Sequence, residues 1–262
     1  MIDIHNHLQN SLLQPHTAEI VSECSKLGVT LQVVNGTNEN DWQLVNLLHQ
    51  QFPEHIIPSY GLHPCFIDSR TSVWLELLEE YLKNGDAWVG EIGIDFRETQ
   101  IAPQKQEEIF LQQLEIAYTY RRPVSIHCVQ AWGRLLELLQ QNKKLLTTFI
   151  LHSYGASKEM IPQFAQLGAF FSYSASVTNT KRKKQREALL KTPIERLFLE
   201  TDAPYKSPSE DLMIHLTKCA HNSPCTIAPL YSYVAQTREI PLSQLIQQCR
   251  SNLSNCIEGV AP

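Results

Sequence analysis

Residues 1–7 read MIDIHNH, and this stretch decides between two ways of building an α/β protein. The run MIDI is that of a buried strand, and it leads directly into His5 and His7. An open doubly wound sheet usually follows its first strand with a glycine-rich phosphate loop. A strand that delivers two imidazoles instead fits a closed barrel, in which all strand ends open on one mouth. Four later apolar runs lead to similar groups: WVG ahead of Glu91, PVSI ahead of His127, FIL ahead of His152 and LFL ahead of Asp202.

Outward from that start, strand-like and helix-like segments alternate. Strands are expected over 1–5, 29–35, 56–61, 87–91, 124–127, 148–152, 169–174 and 196–200. Helical patterns fall between them over 17–27, 41–51, 72–83, 104–121, 132–141, 158–167 and 182–191, with a last helix over 243–256 behind Pro241. In 104–121 the apolar residues Ile109, Leu111, Leu114, Ile116, Ala117 and Tyr120 keep close to the spacing of a core-facing stripe. Gly28 and Gly168 stand where left-handed helix caps are expected. Strands alternating with helices imply parallel pairing. The expected fold is therefore a TIM-type (β/α)8 barrel with a metal site at its C-terminal face.

At 262 residues the chain has the length of one such barrel, and no repeat, linker or low-complexity tract divides 1–262 into more than one domain. A hydrophobic content of 43% supports a large core, and no apolar run approaches the ~18 residues of a membrane span. Asp3 and two histidines occupy the region where a secretory signal would be basic and then apolar. Seven scattered cysteines without a C-x-x-C pair read as reduced thiols. A cytoplasmic protein with no membrane attachment and no obligate protein partner is expected. The net charge of −5 argues against a surface that grips nucleic acid as a whole, but allows a local cationic cleft.

His5 and His7 alternate along one strand and so share a face, from which both reach one cation. Asp3, one alternation earlier, is either an acceptor behind an imidazole or an ordinary inward polar residue. Glu91 lies in GEIGID, where Gly90 and Gly93 leave room for close backbone approach. A carboxylate there can bridge two metals or pair with a basic side chain; Asp95 and Arg97 on the following loop can pair with each other. A single histidine such as His127 or His152 is more readily a hydrogen-bonded core residue, but two in successive strand-end positions after Glu91 argue for ligands. Asp202 can ligate a metal, hold an attacking water and accept its proton. Four imidazoles and two carboxylates at one mouth need a counter-charge, which a pair of divalent cations supplies.

His63 in GLHP either touches substrate, polarises a leaving group, or is a turn histidine fixed by Pro64. His16, His49, His55, His215 and His221 are expected on the surface or in loops. Cys128 points away from the face that His127 uses and reads as a buried thiol. Lys181, Arg182, Lys183 and Lys184 form the one basic cluster, either a solvated helix start or, above the mouth, a contact for phosphates. Nearby Tyr173 and Tyr205 either pack or stack on a base. The stretch 205–229, with Pro208, Pro224 and Pro229, reads as a long loop with a short helix.

Taken together, DIHNH, GLHP, GEIGID, PQKQEEIFLQQLEIAYTYRRPVSIH, LHSYGAS, LGAFFSYSASVT, RLFLETDAP and NSP resemble the TatD family of metal-dependent hydrolases over nearly the whole chain. The resemblance implies that His5, His7, Glu91 and Asp202 hold one divalent cation, while Glu91, His127 and His152 hold another. It implies phosphodiester hydrolysis, with DNA or another phosphoester as substrate. Two departures stand out. Where the family often reads H-S-R-D-A, this chain has His127-Cys128-Val129-Gln130-Ala131, so Val129 replaces an arginine. Where H-C-F-S-G-S is common, it has His152-Ser153-Tyr154-Gly155-Ala156-Ser157.

The expected enzyme is a phosphodiesterase or deoxyribonuclease in which a water activated between two metals attacks phosphorus, with Asp202 as base and His63 as a second catalytic candidate. Imidazole-rich ligation favours zinc, manganese, nickel or iron, with magnesium possible at the weaker position. Two alternatives remain: hydrolysis of an amide, lactone or other small substrate, and a non-catalytic, metal-stabilised binding protein.

Overall fold

The computed structural model describes residues 1–83, 85–98, 100–209, 212 and 221–259. Strands β1 (Ile2–Asn6), β2 (Leu31–Asn35), β3 (Ile56–Tyr60), β4 (Trp88–Asp95), β5 (Val124–Val129), β6 (Phe149–Leu151), β7 (Phe170–Tyr173) and β8 (Leu197–Leu199) form one eight-stranded sheet in chain order. Each neighbouring pair from β1–β2 to β7–β8 is parallel. Helices α1 (Thr17–Lys26), α2 (Glu39–Gln51), α3 (Trp74–Lys83), α4 (Pro103–Thr119), α5 (Trp132–Gln141), α6 (Ile161–Gln166) and α7 (Lys183–Lys191) connect them, and α8 (Ile227–Thr237) and α9 (Leu242–Glu258) follow. The expected barrel is the observed one.

Strand residues that face the helices are apolar, among them Val89, Ile126, Phe171 and Leu199, all buried. The barrel interior is largely polar near the mouth: Ser59, Ser125, Ser172 and Glu200 are buried as well. Period-two alternation produces both sets from the same strands. A buried polar interior is stable only when its groups satisfy one another, and several do. Ser59 Oγ donates to Gly90 O (3.0 Å), and the Asn6 amide donates to Asp3 Oδ2 (3.0 Å) and to Gln32 Oε1 (3.2 Å).

The seam between β8 and β1 closes the barrel. Asp202 N donates to His5 O (3.0 Å) and His7 N to Ala203 O (2.8 Å), beyond the end of β8. Deeper in, the Asp3 carboxylate takes the Thr201 backbone N–H (2.9 Å) and hydroxyl (2.6 Å). Asp3 is thus a clamp across the seam, not an acceptor behind an imidazole. The same clamp places Asp202, whose backbone turns through φ +52°.

Several boundaries differ from expectation, for local reasons. β4 continues through Asp95, so Glu91 lies inside the strand and not at its end. β8 stops at Leu199, three residues before Asp202. α8 starts at the end of the stretch 205–229, expected as a long loop with a short helix, and runs on to Thr237, where no helix is expected. Pro229 occupies the first turn, where the missing N–H has no intrahelical partner to lose. The buried set Ile227, Leu230, Tyr231, Val234 and Ala235 carries the helical period that outweighs it. Gly28 and Gly168 adopt φ +80° and +95°, as their capping positions require. His215 and most of the stretch 210–220 lie outside the described residues.

Replacing Asp3 with Ala leaves the Thr201 donors unmatched in a dry interior and takes away one of the two acceptors of the Asn6 amide. Urea unfolding is expected to show a loss of about 2–4 kcal/mol. A loss under about 0.5 kcal/mol, the size of an ordinary surface change, would mean that the seam is held elsewhere.

Candidate metal centre

β4 carries a register shift against β5 between Val89 and Ile92, and Glu91 sits within it. Such an irregularity re-aims one side chain without unpairing the strand. Glu91 N donates to Gly36 O (2.9 Å), and the carboxylate reaches the centre of the mouth. Past the shift, Gly93 pairs with His127, and a Cβ at Gly93 would stand 1.9 Å from His127 O. Only glycine lets β5 come close enough to bring His127 against Glu91.

The two oxygens of Glu91 face different imidazoles. Oε2 lies 3.5 Å from His5 Nε2 and 3.5 Å from His7 Nε2. Oε1 lies 2.7 Å from His127 Nδ1, 3.0 Å from His152 Nε2 and 3.5 Å from His63 Nε2. Asp202 Oδ1 approaches His7 Nε2 at 3.4 Å. All six groups expected at the mouth therefore meet there, and His63 joins them.

What lies behind each ring decides which nitrogen faces inward. His7 Nδ1 donates to Asn35 O (2.8 Å), which turns Nε2 toward Glu91 and Asp202. His152 Nδ1 rests 3.3 Å from Glu200, and His127 Nε2 3.2 Å from Asp95 Oδ2. His5 Nδ1 pairs with Ser125 Oγ at 2.9 Å, while its buried Nε2 has no hydrogen-bond partner. His63 is the exception. Its Nδ1 accepts from Cys65 N (3.1 Å), so Nε2 carries the proton and points into the mouth as a donor.

Burial would raise the Glu91 carboxyl, but His152, His63 and hydrogen bonds from His127 and His152 hold it well below the usual carboxylate range. Asp202 is lowered too, since the His7 hydrogen bond and nearby imidazoles overcome its burial. Burial opposes charge on His7, yet Asp202 and Glu91 hold it up to about 9. His152 likewise rises against its burial, through Glu91 and Glu200. Burial and the other imidazoles push His63 down to about 3, so it is neutral. The carboxylates are ionised and draw positive charge onto His7, His127 and His152, whereas burial and the neighbouring His152 hold His5 down.

That donor set fits divalent cations. His5, His7 and Asp202 offer ligand atoms within 4.8 Å of one another, as do His63, Glu91 and His127, and His5, His152 and Glu200. The protonated Nε2 of His63 makes that ring a donor and not a ligand, and Glu200 sits behind His152, 3.3 Å from its Nδ1, with the Ser172 hydroxyl bonded to the other Glu200 oxygen. The orphaned Nε2 of His5, buried beside an ionised carboxylate, is the atom that most plainly lacks a cation.

Around the cluster opens a pocket of about 430 Å³, lined among others by Phe66, Arg97, Val129, Ser153, Tyr205 and Lys206. Phe96 N donates to Val129 O (3.0 Å), Arg97 pairs with Asp95 (3.0 Å), and Arg97 and Val129 both line the pocket. Ser153 reaches the pocket, whereas Tyr154 is buried among Trp132, Phe164 and Phe171. Tyr173 is buried too, its hydroxyl on Thr192 (2.6 Å), and is no stacking platform. Tyr205 is 53% exposed and lies 5.7 Å from the His7 ring. Cys128 is buried as expected, and burial pushes its thiol up. His49 is a half-buried helix residue bonded to Ile56 O (2.8 Å), not a loop residue. His16, His55 and His221 lie away from the pocket.

A family model described as TatD related DNase matches residues 2–258. The chain belongs to that family. Among its relatives, the 3'-5' ssDNA/RNA exonuclease TatD of Edwardsiella piscicida is 28% identical over 254 residues, covering 96% of this chain and 97% of that protein. The protein of the same name from Escherichia fergusonii is 30% identical over 244 residues, covering 91% of each. A crystal structure of a TatD homologue from Escherichia coli K12 shares the fold, with a TM-score of 0.88 at 24% identity over 98% of this chain and 97% of that one. The family is metal-dependent, in keeping with the clustered histidines and carboxylates. No helix among the described residues is long and apolar enough to cross a membrane.

Sequence reading missed the partners behind the rings: Asp95, Glu200, Ser125 and the Asn35 carbonyl. Asp95 stands four residues after Glu91 and Glu200 two before Asp202, yet nothing in the spacing ties them to His127 or His152. Their replacement tests that tie. Asp95→Asn and Glu200→Gln are each expected to weaken manganese binding about 10–100-fold, measured by calorimetry, with the fold retained by circular dichroism. Wild-type affinity in both would mean that the rings are oriented by something else.

Proposed function

We propose that this chain is a divalent-metal-dependent phosphodiesterase that hydrolyses nucleic acid. One observation carries the reading: Glu91 presents one oxygen to His5 and His7 and the other to His127 and His152. A carboxylate divided in this way suits two cations, one held by His5, His7, Glu91 and Asp202, the other by Glu91, His127 and His152. The nuclease names of the relatives support the substrate class over an amide, a lactone or a non-catalytic role. We read 1–262 as one hydrolase domain of the cytoplasm. Imidazole-rich ligation favours zinc, manganese, nickel or iron over magnesium.

When bound, the two cations supply a more acidic water and neutralise charge on the phosphoryl oxygens. The chain's own groups do the rest. Asp202 orients the attacking water and takes its proton on its carboxylate. His63, neutral and with Nε2–H aimed into the mouth, donates to a phosphoryl or leaving oxygen. Arg97 stands where it offers a guanidinium to the phosphate beside Val129, the position at which related sequences often carry arginine. Phe66 and Tyr205 line the walls with surfaces on which a base can stack. Those walls and the buried cluster limit the approach of bulk water to the reacting phosphate.

The test compares wild type, Asp202→Asn and Arg97→Gln on single-stranded DNA, RNA, a p-nitrophenyl phosphodiester and an amide, with manganese, zinc or magnesium. Wild type is expected to cleave the phosphodiesters and spare the amide. Asp202→Asn is expected to keep most of its metal and lose ~10²–10⁴-fold in kcat, and Arg97→Gln to raise KM for DNA. Amide cleavage, or wild-type turnover by Asp202→Asn, would contradict the reading.

A further inference from the structure

Beside the metal pocket lies a second groove, of about 520 Å³, lined by residues 175–176, 178–180, Arg182 and residues 206–209. Lys206 lines both, so the two are neighbours. Among the described residues, no acidic side chain lines the groove. Within the same set, neither Lys206 nor Arg182 has a carboxylate at ion-pair distance, unlike Arg134 on Glu107 or Lys158 on Glu187. The remaining lining is rich in small hydroxyls: Ser176, Thr178, Thr180, Ser207 and Ser209.

These features occur together in a chain whose net charge is −5. Two cations without an ion-pair partner among the described residues, flanking a hydroxyl-lined trough, make a local electropositive path out of an otherwise acidic protein. The exposed Lys181, Lys183 and Lys184 flank Arg182 and extend the same field. Hydroxyl and ammonium or guanidinium donors are the groups that hold phosphate oxygens without reading bases. The arrangement therefore matches a repeating anion larger than the substrate fragment that fills the metal pocket.

On the nuclease reading above, we propose that this groove is a subsite for the phosphates of a single strand next to the scissile one, with Lys206 and Arg182 as its cationic partners. The strand crosses from the metal pocket past Lys206 to Arg182, and affinity grows with length until that groove is filled. Binding there is sequence-independent, because only the sugar-phosphate backbone is touched.

The test measures equilibrium binding by fluorescence anisotropy, with metal-loaded full-length protein and a labelled phosphorothioate trinucleotide or decanucleotide. Wild type is expected to bind the decanucleotide more tightly, with an affinity that falls steeply with salt. In the double variant Arg182→Gln with Lys206→Gln, the length advantage is expected to shrink. The slope of log affinity against log salt should become shallower by about 1.4, or ~0.7 for each single-strand phosphate that is no longer neutralised. Arg182→Glu alone is expected to shift both in the same direction, with the melting temperature as a control on folding. If wild type shows the length advantage and the double variant keeps both it and the wild-type slope, the groove proposal fails while the nuclease reading stands. If wild type itself binds neither oligonucleotide, both fail together.

Discussion

A carboxylate buried at the centre of a barrel mouth is the feature on which the rest of this molecule turns. Removing an ionised group from water costs several kcal/mol unless partners replace the lost hydration, and Glu91 is buried. Five imidazoles approach it, from β1, from the turn after β3, from β5 and from the end of β6. Each of these rings is itself buried or half-buried and is held from behind by a carbonyl, a carboxylate, a hydroxyl or a backbone N–H. The polar interior exists because the mouth must be organised, and the apolar outer faces of the strands bear the stability that such an interior cannot supply.

That arrangement explains how an acidic protein handles a polyanion. Negative groups at Glu91, Asp202, Asp95 and Glu200 hold imidazoles in place and draw in cations. Once cations are bound, the centre presents positive charge to a phosphate while the protein stays acidic overall. Arg97 sits on this boundary: Asp95 anchors it, and the same Asp95 steadies His127. A single carboxylate thereby contacts both the Arg97 guanidinium and the His127 ring.

The barrel and the converging donors are legible in the sequence because both obey short-range rules. Apolar strands ending in His or Asp, glycine caps at 28 and 168, and the spacing of His5 and His7 require no knowledge of distant neighbours. What escapes depends on contacts across the barrel. Asp3 clamps Thr201 across 198 residues, and Glu200 supports His152 from two strands away. Neither pairing leaves a local pattern. Tyr173 is open to either role on sequence alone, since alternation gives a face but not what covers it. Glu91 reads as a strand-end residue because the shift at Val89–Ile92 comes from pairing with β5 and not from composition.

The central claim is that Glu91 is shared between two cation positions, and anomalous diffraction from crystals grown with manganese tests it most directly. Two peaks are expected on opposite sides of the Glu91 carboxylate, one against His5, His7 and Asp202 and the other against His127 and His152. A single peak that does not touch Glu91, or a peak ligated by His63 in place of His152, would contradict it.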